Sequence, residues 1–355
     1  RSDGSVAFPA SKKYGFFPAV SAGWKISEEA FFRNNSNLDF FDNLKLRASY
    51  GLVGNDRNVY SGRVPTFQYQ QVYNLSSTII SGSNAYASVR PGILPNPIVT
   101  WESASILDIG LDGSLWNRLL QFEIDYFYKR TSNILLSRIR SIPGTIGAVL
   151  PAENYAKVDN RGIEISLTHQ NNIGELNYFV KANASFSKSK VILLDEPANI
   201  PDYLLQTGRP LGFIVGYQSL GFFQSDEEVQ NYLPQFNGGQ KAGDVKYADI
   251  NGDKKIDAND RTIISMDNST PKILGGLSFG GSYKGFDLAV LFQGATKMKK
   301  LLNGRSKTFF NGGSHNNFAD LLDYWTPENR DAKYPRPWEN QHPNNSLESS
   351  LYLRD

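Results

Sequence analysis

The chain has 355 residues, enough for two ordinary domains or one large β-structure, and its Lys+Arg 37 against Asp+Glu 35 leaves no electrostatic footprint for nucleic acid. It contains no cysteine, which excludes disulfides, thiol catalysis and thiolate metal sites. A mean hydropathy of −0.39 with no long apolar run excludes a transmembrane helix, but not a membrane barrel, whose alternating strands average to low hydropathy.

In chain order, Tyr14 to Ile26 predicts a first strand, with Val20, Ala22, Trp24 and Ile26 on one face and Ser21, Gly23 and Lys25 on the other. Ser27 to Ala30 reads as a short helical turn opened by an N-cap serine. A second strand runs from Asn43 to Gly51, with Leu44, Leu46, Ala48 and Tyr50 opposed to Lys45, Arg47 and Ser49. Residues Leu52 to Val99 are polar and rich in Gly, Ser and Asn, and read as loop. A third strand, Thr100 to Leu115, turns at Trp116-Asn117-Arg118 into the most regular stretch of the chain, Leu119 to Lys129. There Phe122, Ile124, Tyr126 and Tyr128 alternate with Gln121, Glu123 and Asp125.

Ile134 to Lys157, with Pro143, Gly144 and Gly147, reads as a long connection. A hairpin follows, Ile163–Leu167 returning through Leu176–Phe186 after a turn at Asn171 to Gly174, and only Phe179 breaks its alternation. The longest excursion, 190–270, precedes a final pair, Pro271 to Tyr283 and Phe286 to Gln293, joined at Lys284-Gly285. Met298 to Tyr352 shows little periodicity. Short turns and long loops therefore alternate, the rhythm of an outer-membrane barrel with short periplasmic turns and long outer loops. A secreted β-sandwich or solenoid is the other pattern-level reading. Arg1 opens without a signal peptide and Asp355 follows a strand-like SLYLR, so the sequence reads as a piece of something longer.

The runs RSDGSVAF, KYGFFPAVSAGWKISEE, DNLKLRASYGLVGN, WESASILDIGLDGSLWNRLLQFEIDYFYKRTSNIL, VDNRGIEISL, AGDVKYADINGDKKIDANDRTII and YKGFDLAVLFQGA resemble, in the same order, the carboxy-terminal barrel half of SusC/RagA-type TonB-dependent transporters of the Bacteroidota. The resemblance implies an all-β fold: an antiparallel transmembrane β-barrel segment, part of a plugged barrel of about 22 strands with long extracellular loops. It implies that 1–355 is part of one barrel domain, without the plug and without the first and last strands, and that 190–270 is an extracellular excursion. It further implies TonB-dependent import of oligosaccharides or peptides, a SusD-like lipoprotein partner, a TonB complex engaged through segments outside this chain, outer-membrane lipid around the barrel, and no enzymatic activity. A passive porin-like channel and a secreted, calcium-stabilised glycan-binding β-protein are the alternatives.

One stretch has metal-ligand spacing. Asp249, Asn251, Asp253, Asp257 and Asp260, with the Lys255 carbonyl, occupy positions 1, 3, 5, 9, 12 and 7 of an EF-hand-like loop, a pattern that suits calcium. Lys254 stands where the EF-hand needs glycine, and Asp260 where it needs a longer glutamate; an Asp/Asn-rich turn held by its own side chains is the alternative. Gly276-Leu277-Ser278-Phe279-Gly280 matches a hydrolase elbow but lies inside an alternating strand. His169, His315 and His342 have no nucleophile to serve. For substrate, the aromatic candidates are Phe67, Tyr69, Tyr73, Tyr324, Trp325, Tyr334 and Trp338, against a role in packing the loops together. Glu123, Asp125, Lys45, Arg47, Glu164 and Lys181 are candidates to line a lumen.

Overall fold

The structure, a computed structural model, describes residues 1–58, 62–63, 67–137, 145, 148–236, 238–310, 316–339 and 342–355. It divides into two compact units, one of 1–200, 206–211 and 273–294, the other of 201–205, 212–272 and 295–355.

The first unit carries one eight-stranded antiparallel sheet. Its strands are β1 (Ala19–Lys25), β2 (Phe41–Asn55), β3 (Glu102–Leu115), β4 (Leu120–Ser137), β5 (Ala152–Ile173), β6 (Leu176–Leu193), β7 (Ile273–Tyr283) and β8 (Phe286–Thr296). They lie side by side in chain order, and the sheet is open at β1 and β8. Such a meander needs only tight reversals, and the local residues provide them. Lys284 and Gly285 between β7 and β8 both have positive φ, 49° and 87°, the left-handed geometry whose twist matches a hairpin. Between β3 and β4, Trp116, Asn117 and Arg118 are all left-handed, and the Asp42 carboxylate accepts the Asn117 and Arg118 N–H groups at 3.0 and 2.8 Å.

The strand bounds differ from the sequence expectation where a local feature interrupts the period. Tyr14–Ile26 is divided at Pro18, which has no N–H for a ladder: Tyr14–Phe16 pairs with Ser2–Gly4, while β1 joins the main sheet. Ser27 lies inside the 3-10 turn Ile26–Glu28 and caps nothing. The stretch 52–99 is not all loop, since Tyr73–Ser81 and Asn84–Pro91 form a hairpin turned at Gly82, φ 64°. Its polar composition hides it, because the backbone ladder and a left-handed glycine need no apolar side chains.

Asn133, φ 57°, sits in a β-bulge that resets the alternation of β4, so the strand continues to Ser137 beyond the point where a period of two is readable. The connection to β5 is correspondingly shorter than Ile134–Lys157; Pro143, Gly144 and Gly147 lie outside the described residues. The β5–β6 turn is tighter than Asn171–Gly174, because Asn172 still pairs with Asn177 and Ile173 with Leu176.

A small core supports the first unit: Ala7, Phe8, Val99 and Leu135, with Tyr69, Trp101 and Ala152 against them. The second unit comes from the connections that follow β6 and β8. Tyr217, Phe222, Val245, Tyr247, Ile256, Trp325 and Ala332 form its larger core, and Phe309, Leu321, Tyr334 and Tyr352 a smaller one. Burying side chains of this size contributes roughly 1.5–3 kcal/mol each. Short ladders frame these cores: Ile214–Gly216 with Thr262–Ser265, Ser219–Phe222 with Val245–Tyr247, and Lys300–Leu301 with Leu353–Arg354. One helix, Asp226–Asn231, is capped by Ser225, whose hydroxyl accepts the Glu228 N–H at 3.1 Å. Among the described residues no helix is long and apolar enough to cross a membrane.

Candidate functional site

Strand pairing turns the alternation of single strands into two continuous faces. Along one face the register aligns Ala48, Ile109, Tyr126, Ile163, Phe186 and Ile273. The next row is Trp24, Leu46, Leu111, Ile124, Ile165, Ala184 and Gly275; the one after it is Leu44, Gly113, Phe122, Leu167, Ala182 and Leu277. These rows are not a core, for Ile109, Ile124, Tyr126, Ile163, Ile165, Leu167 and Phe186 are all exposed. From Tyr128 to Leu120 the face advances eight residues, about 27 Å along the strand and about 20 Å along a normal tilted by about 40°. That height approaches the ~25 Å apolar band of an outer-membrane barrel.

The opposite face is polar and charged. Its central row is Gly23, Arg47, Gly110, Asp125, Glu164 and Ser185. Arg47 on β2 donates from Nε to Asp112 on β3 at 2.8 Å and from Nη2 to Asp125 on β4 at 2.9 Å, with Asp108 at 3.7 Å. The guanidinium reaches two strands away because Gly110 lies between. A Cβ there would stand 2.3 Å from Asp125 Oδ1 and 2.5 Å from Arg47 Cζ. Three carboxylates around one guanidinium leave the group net negative while each of the closer pairs is charge-assisted. Of the other expected lumen residues, Glu164 accepts the Ser185 hydroxyl at 3.1 Å, and Lys181 lies 5.3 Å over the Phe179 ring, which explains the aromatic that broke the β6 alternation. Lys45 packs over Gly23, and Glu123 shares its row with Asp112. Asp108, Asp112 and Gly110 were legible as strand residues but not as partners, since their meeting depends on cross-strand register.

In the second unit, the Asp249–Asp260 loop is closed by its own amides. Asp249 accepts the Gly252 and Lys254 N–H groups at 2.7 and 2.9 Å, Asp253 accepts that of Lys255 at 3.1 Å, and Asn251 that of Asp253 at 3.0 Å. Asp260, fully buried, accepts from Asp257 N–H at 2.7 Å and Ile250 N–H at 2.9 Å, and completes a capping box with Asp257. The Lys255 ammonium, 2.7 Å from Asp257, holds that carboxyl below the usual carboxylate range. Among the described residues no three His, Cys, Asp or Glu side chains converge as a metal-binding group. The backbone at Lys254 is left-handed, φ 67°, which is the conformation an EF-hand-like loop asks of its sixth residue.

The aromatic candidates separate. Tyr334, fully buried, and Trp325, 7% exposed, are core residues with no face to offer a ligand, which corrects the expectation placed on them. Tyr324 packs edge-on against Phe309. Trp338 is half-buried, donates from Nε1 to Asp244 at 2.7 Å and stacks on His342 at 4.6 Å. In the first unit, Phe67 and Tyr73 are exposed, while Tyr69 leans on the small core. Ser278 lies within β7 opposite Lys181, far from any helix-forming elbow, and His315 is outside the described residues. His169 bonds Tyr178 at 3.0 Å.

The sequence profile of the TonB dependent receptor-like, beta-barrel family matches residues 1–261. Among curated proteins, the chain is 31% identical to TonB-dependent receptor P26 of Formosa agariphila, over 95% of this chain and 33% of that protein. It is 33% identical to TonB-dependent receptor P39 of the same organism over 82% of this chain and 30% of that one. With TonB-dependent receptor SusC of Bacteroides thetaiotaomicron it shares 25% identity over 81% of this chain and 28% of that one. The chain thus spans about a third of the length of these relatives. Among solved structures, the RagAB peptide transporter aligns with a TM-score of 0.71 at 20% identity, over 99% of this chain and 37% of that one, a likeness of fold.

Proposed function

The chain belongs to the TonB-dependent receptor-like β-barrel family, and from that premise we propose that it is the carboxy-terminal barrel portion of an energy-coupled importer of oligosaccharides or peptides. As a family member it is an outer-membrane β-barrel segment and not an enzyme, which sets aside the secreted calcium-stabilised binder. The observation that carries the reading is the inverted sheet: apolar rows exposed on one face, and Arg47, Asp112, Asp125 and Glu164 on the other. Lipid covers the first face and solute passes along, or a plug rests against, the second. The long connections are extracellular, a SusD-like lipoprotein caps them, and TonB acts through a segment of the polypeptide beyond this chain. Phe67, Tyr69, Tyr73, Tyr324 and Trp338 are the aromatic candidates that burial leaves for substrate.

Uptake of labelled oligosaccharide and peptide pools by cells carrying the full-length protein, with and without TonB, tests this. Uptake that stops without TonB supports the importer; uptake that persists makes the passive channel the correct reading. Calcium at the Asp249–Asp260 loop belongs to the same proposal. Asp249, Asn251, Asp253, Asp257, Asp260 and the Lys255 carbonyl would supply its oxygens once the Lys255 ammonium leaves Asp257 and the loop exchanges its amide-closed form for one that brings these oxygens together, and the bound ion would stiffen the loop. A calcium-dependent rise in the thermal midpoint, reversed by chelator and lost in Asp249→Asn, is the expected result.

A further inference from the structure

At the end of the apolar face nearer the long connections, the rows change character. The row Tyr50, Leu107, Tyr128, Arg161 and Lys188 is followed by Leu52, Ser105, Arg130, Asp159 and Lys190, on the same face of the sheet as Ile163 and Phe186. Arg130, Arg161, Lys188 and Lys190 are all exposed there. Asp159 is the only carboxylate in these two rows, and it is spoken for: Arg130 holds it through two hydrogen bonds of 2.8 Å, and the Tyr128 hydroxyl donates to it at 2.6 Å. Arg161, Lys188 and Lys190 form no ion pair among the described residues. Arg161 and Lys188 are moreover direct cross-strand partners, and like charges placed opposite one another destabilise a sheet.

We propose that Arg161, Lys188 and Lys190, with Arg130 fixed beside them by Asp159, bind the phosphate of an anionic lipid headgroup in the leaflet at this end of the barrel. The proposal rests on the reading that this face meets lipid. Cations directly above an apolar band lie at headgroup depth, where a phosphate satisfies both the arginine fork and the ammonium groups while its acyl chains lie along Tyr126, Ile163 and Phe186. An aqueous phosphate has the charge but nothing to place on the apolar rows below. The lipid relieves the Arg161–Lys188 repulsion, and Tyr128 marks the boundary between chain and headgroup.

The test is native mass spectrometry of the full-length protein in detergent, titrated with diphosphorylated lipid A, with the same lipid stripped of phosphate, and with inorganic phosphate. Wild type is expected to retain the phosphorylated lipid. Arg161→Gln/Lys188→Gln/Lys190→Gln should weaken that binding by roughly a hundredfold, three charges each worth about a factor of five. Arg161→Lys/Lys188→Arg should keep it, and both variants must retain the heat-modifiable mobility of a folded barrel. Equal retention by the triple variant, equal binding of the dephosphorylated lipid, or inorganic phosphate bound as tightly as the lipid would each overturn the proposal. A spin label on Ile165 that contacts lipid in the same preparation separates these failures from failure of the membrane reading itself.

Discussion

The sheet and the second unit use the same aromatic residues in opposite places. In the sheet, Trp24, Tyr50 and Tyr126 are exposed, and the charges of Arg47, Asp112 and Asp125 meet one another on the opposite face of the alternation. In the second unit, Tyr247, Tyr334 and Tyr352 are wholly buried, and polar side chains inside are paired: Gln235 accepts the Tyr247 N–H at 2.8 Å, Asn344 donates to the Val245 carbonyl at 2.8 Å, and Asn345 donates to Asp244 at 2.7 Å. The second unit is built as water-soluble proteins are, around a core. The sheet has almost none, so its apolar side chains gain their stability from lipid. The position of an aromatic therefore reports the solvent each region faces.

That contrast can be broken most forcefully at Tyr247. Its phenol is buried and donates to the Asn344 carbonyl at 2.7 Å, so Tyr247→Ala should cost about 3–5 kcal/mol, confined to the second unit. Hydrogen exchange should show faster exchange at 212–272 and 295–355 with the sheet amides unchanged. On the sheet, Ile165→Arg should cost about 2–4 kcal/mol when folding is titrated in lipid bilayers, because it places a charge in the apolar band. Glu164→Gln, one residue away on the other face, should cost far less.

Smaller effects sharpen the comparison. Arg47→Ala leaves Asp112 and Asp125 without their shared partner and should cost about 1–3 kcal/mol, visible as a lower midpoint of the heat-modifiable band. Alkaline titration should loosen the second unit. Burial raises the Tyr247 and Tyr352 phenols above their ordinary range, so the stability they confer is complete below the unfolded-state value of ~10 and is lost as pH rises beyond it. Tyrosine absorbance with circular dichroism during that titration reads the loss. Lys254→Gly should stabilise the Asp249–Asp260 loop by ~0.5–1 kcal/mol, since glycine adopts the left-handed backbone without a Cβ penalty.

What was legible in the sequence follows the same division. The strands of the sheet show themselves because a face exposed to lipid must alternate strictly with one that is polar; the turns at Lys284-Gly285 and Trp116–Arg118 follow from residue type. Bulged or polar segments, such as Asn133 and the hairpin 73–91, do not alternate and were hidden. The Arg47 bridge required knowing that β2, β3 and β4 are neighbours and that Gly110 stands between the partners. In the second unit, Asp244 meets Asn345 across 101 residues of chain, and no local period reports such a meeting. Composition alone does not distinguish a loop aromatic that packs from one that binds, so Trp325 and Tyr334 looked like ligand residues until their burial was visible.

The most direct measurement places single cysteines at Ile165 and at Glu164 in the full-length protein, in a stretch that has none of its own, and attaches a nitroxide to each in a reconstituted bilayer. Collision with oxygen should dominate at 165 and collision with a water-soluble nickel chelate at 164. Equal access of the chelate to both positions, or the reverse order, would contradict a sheet whose apolar face meets lipid and whose charged face lines the path.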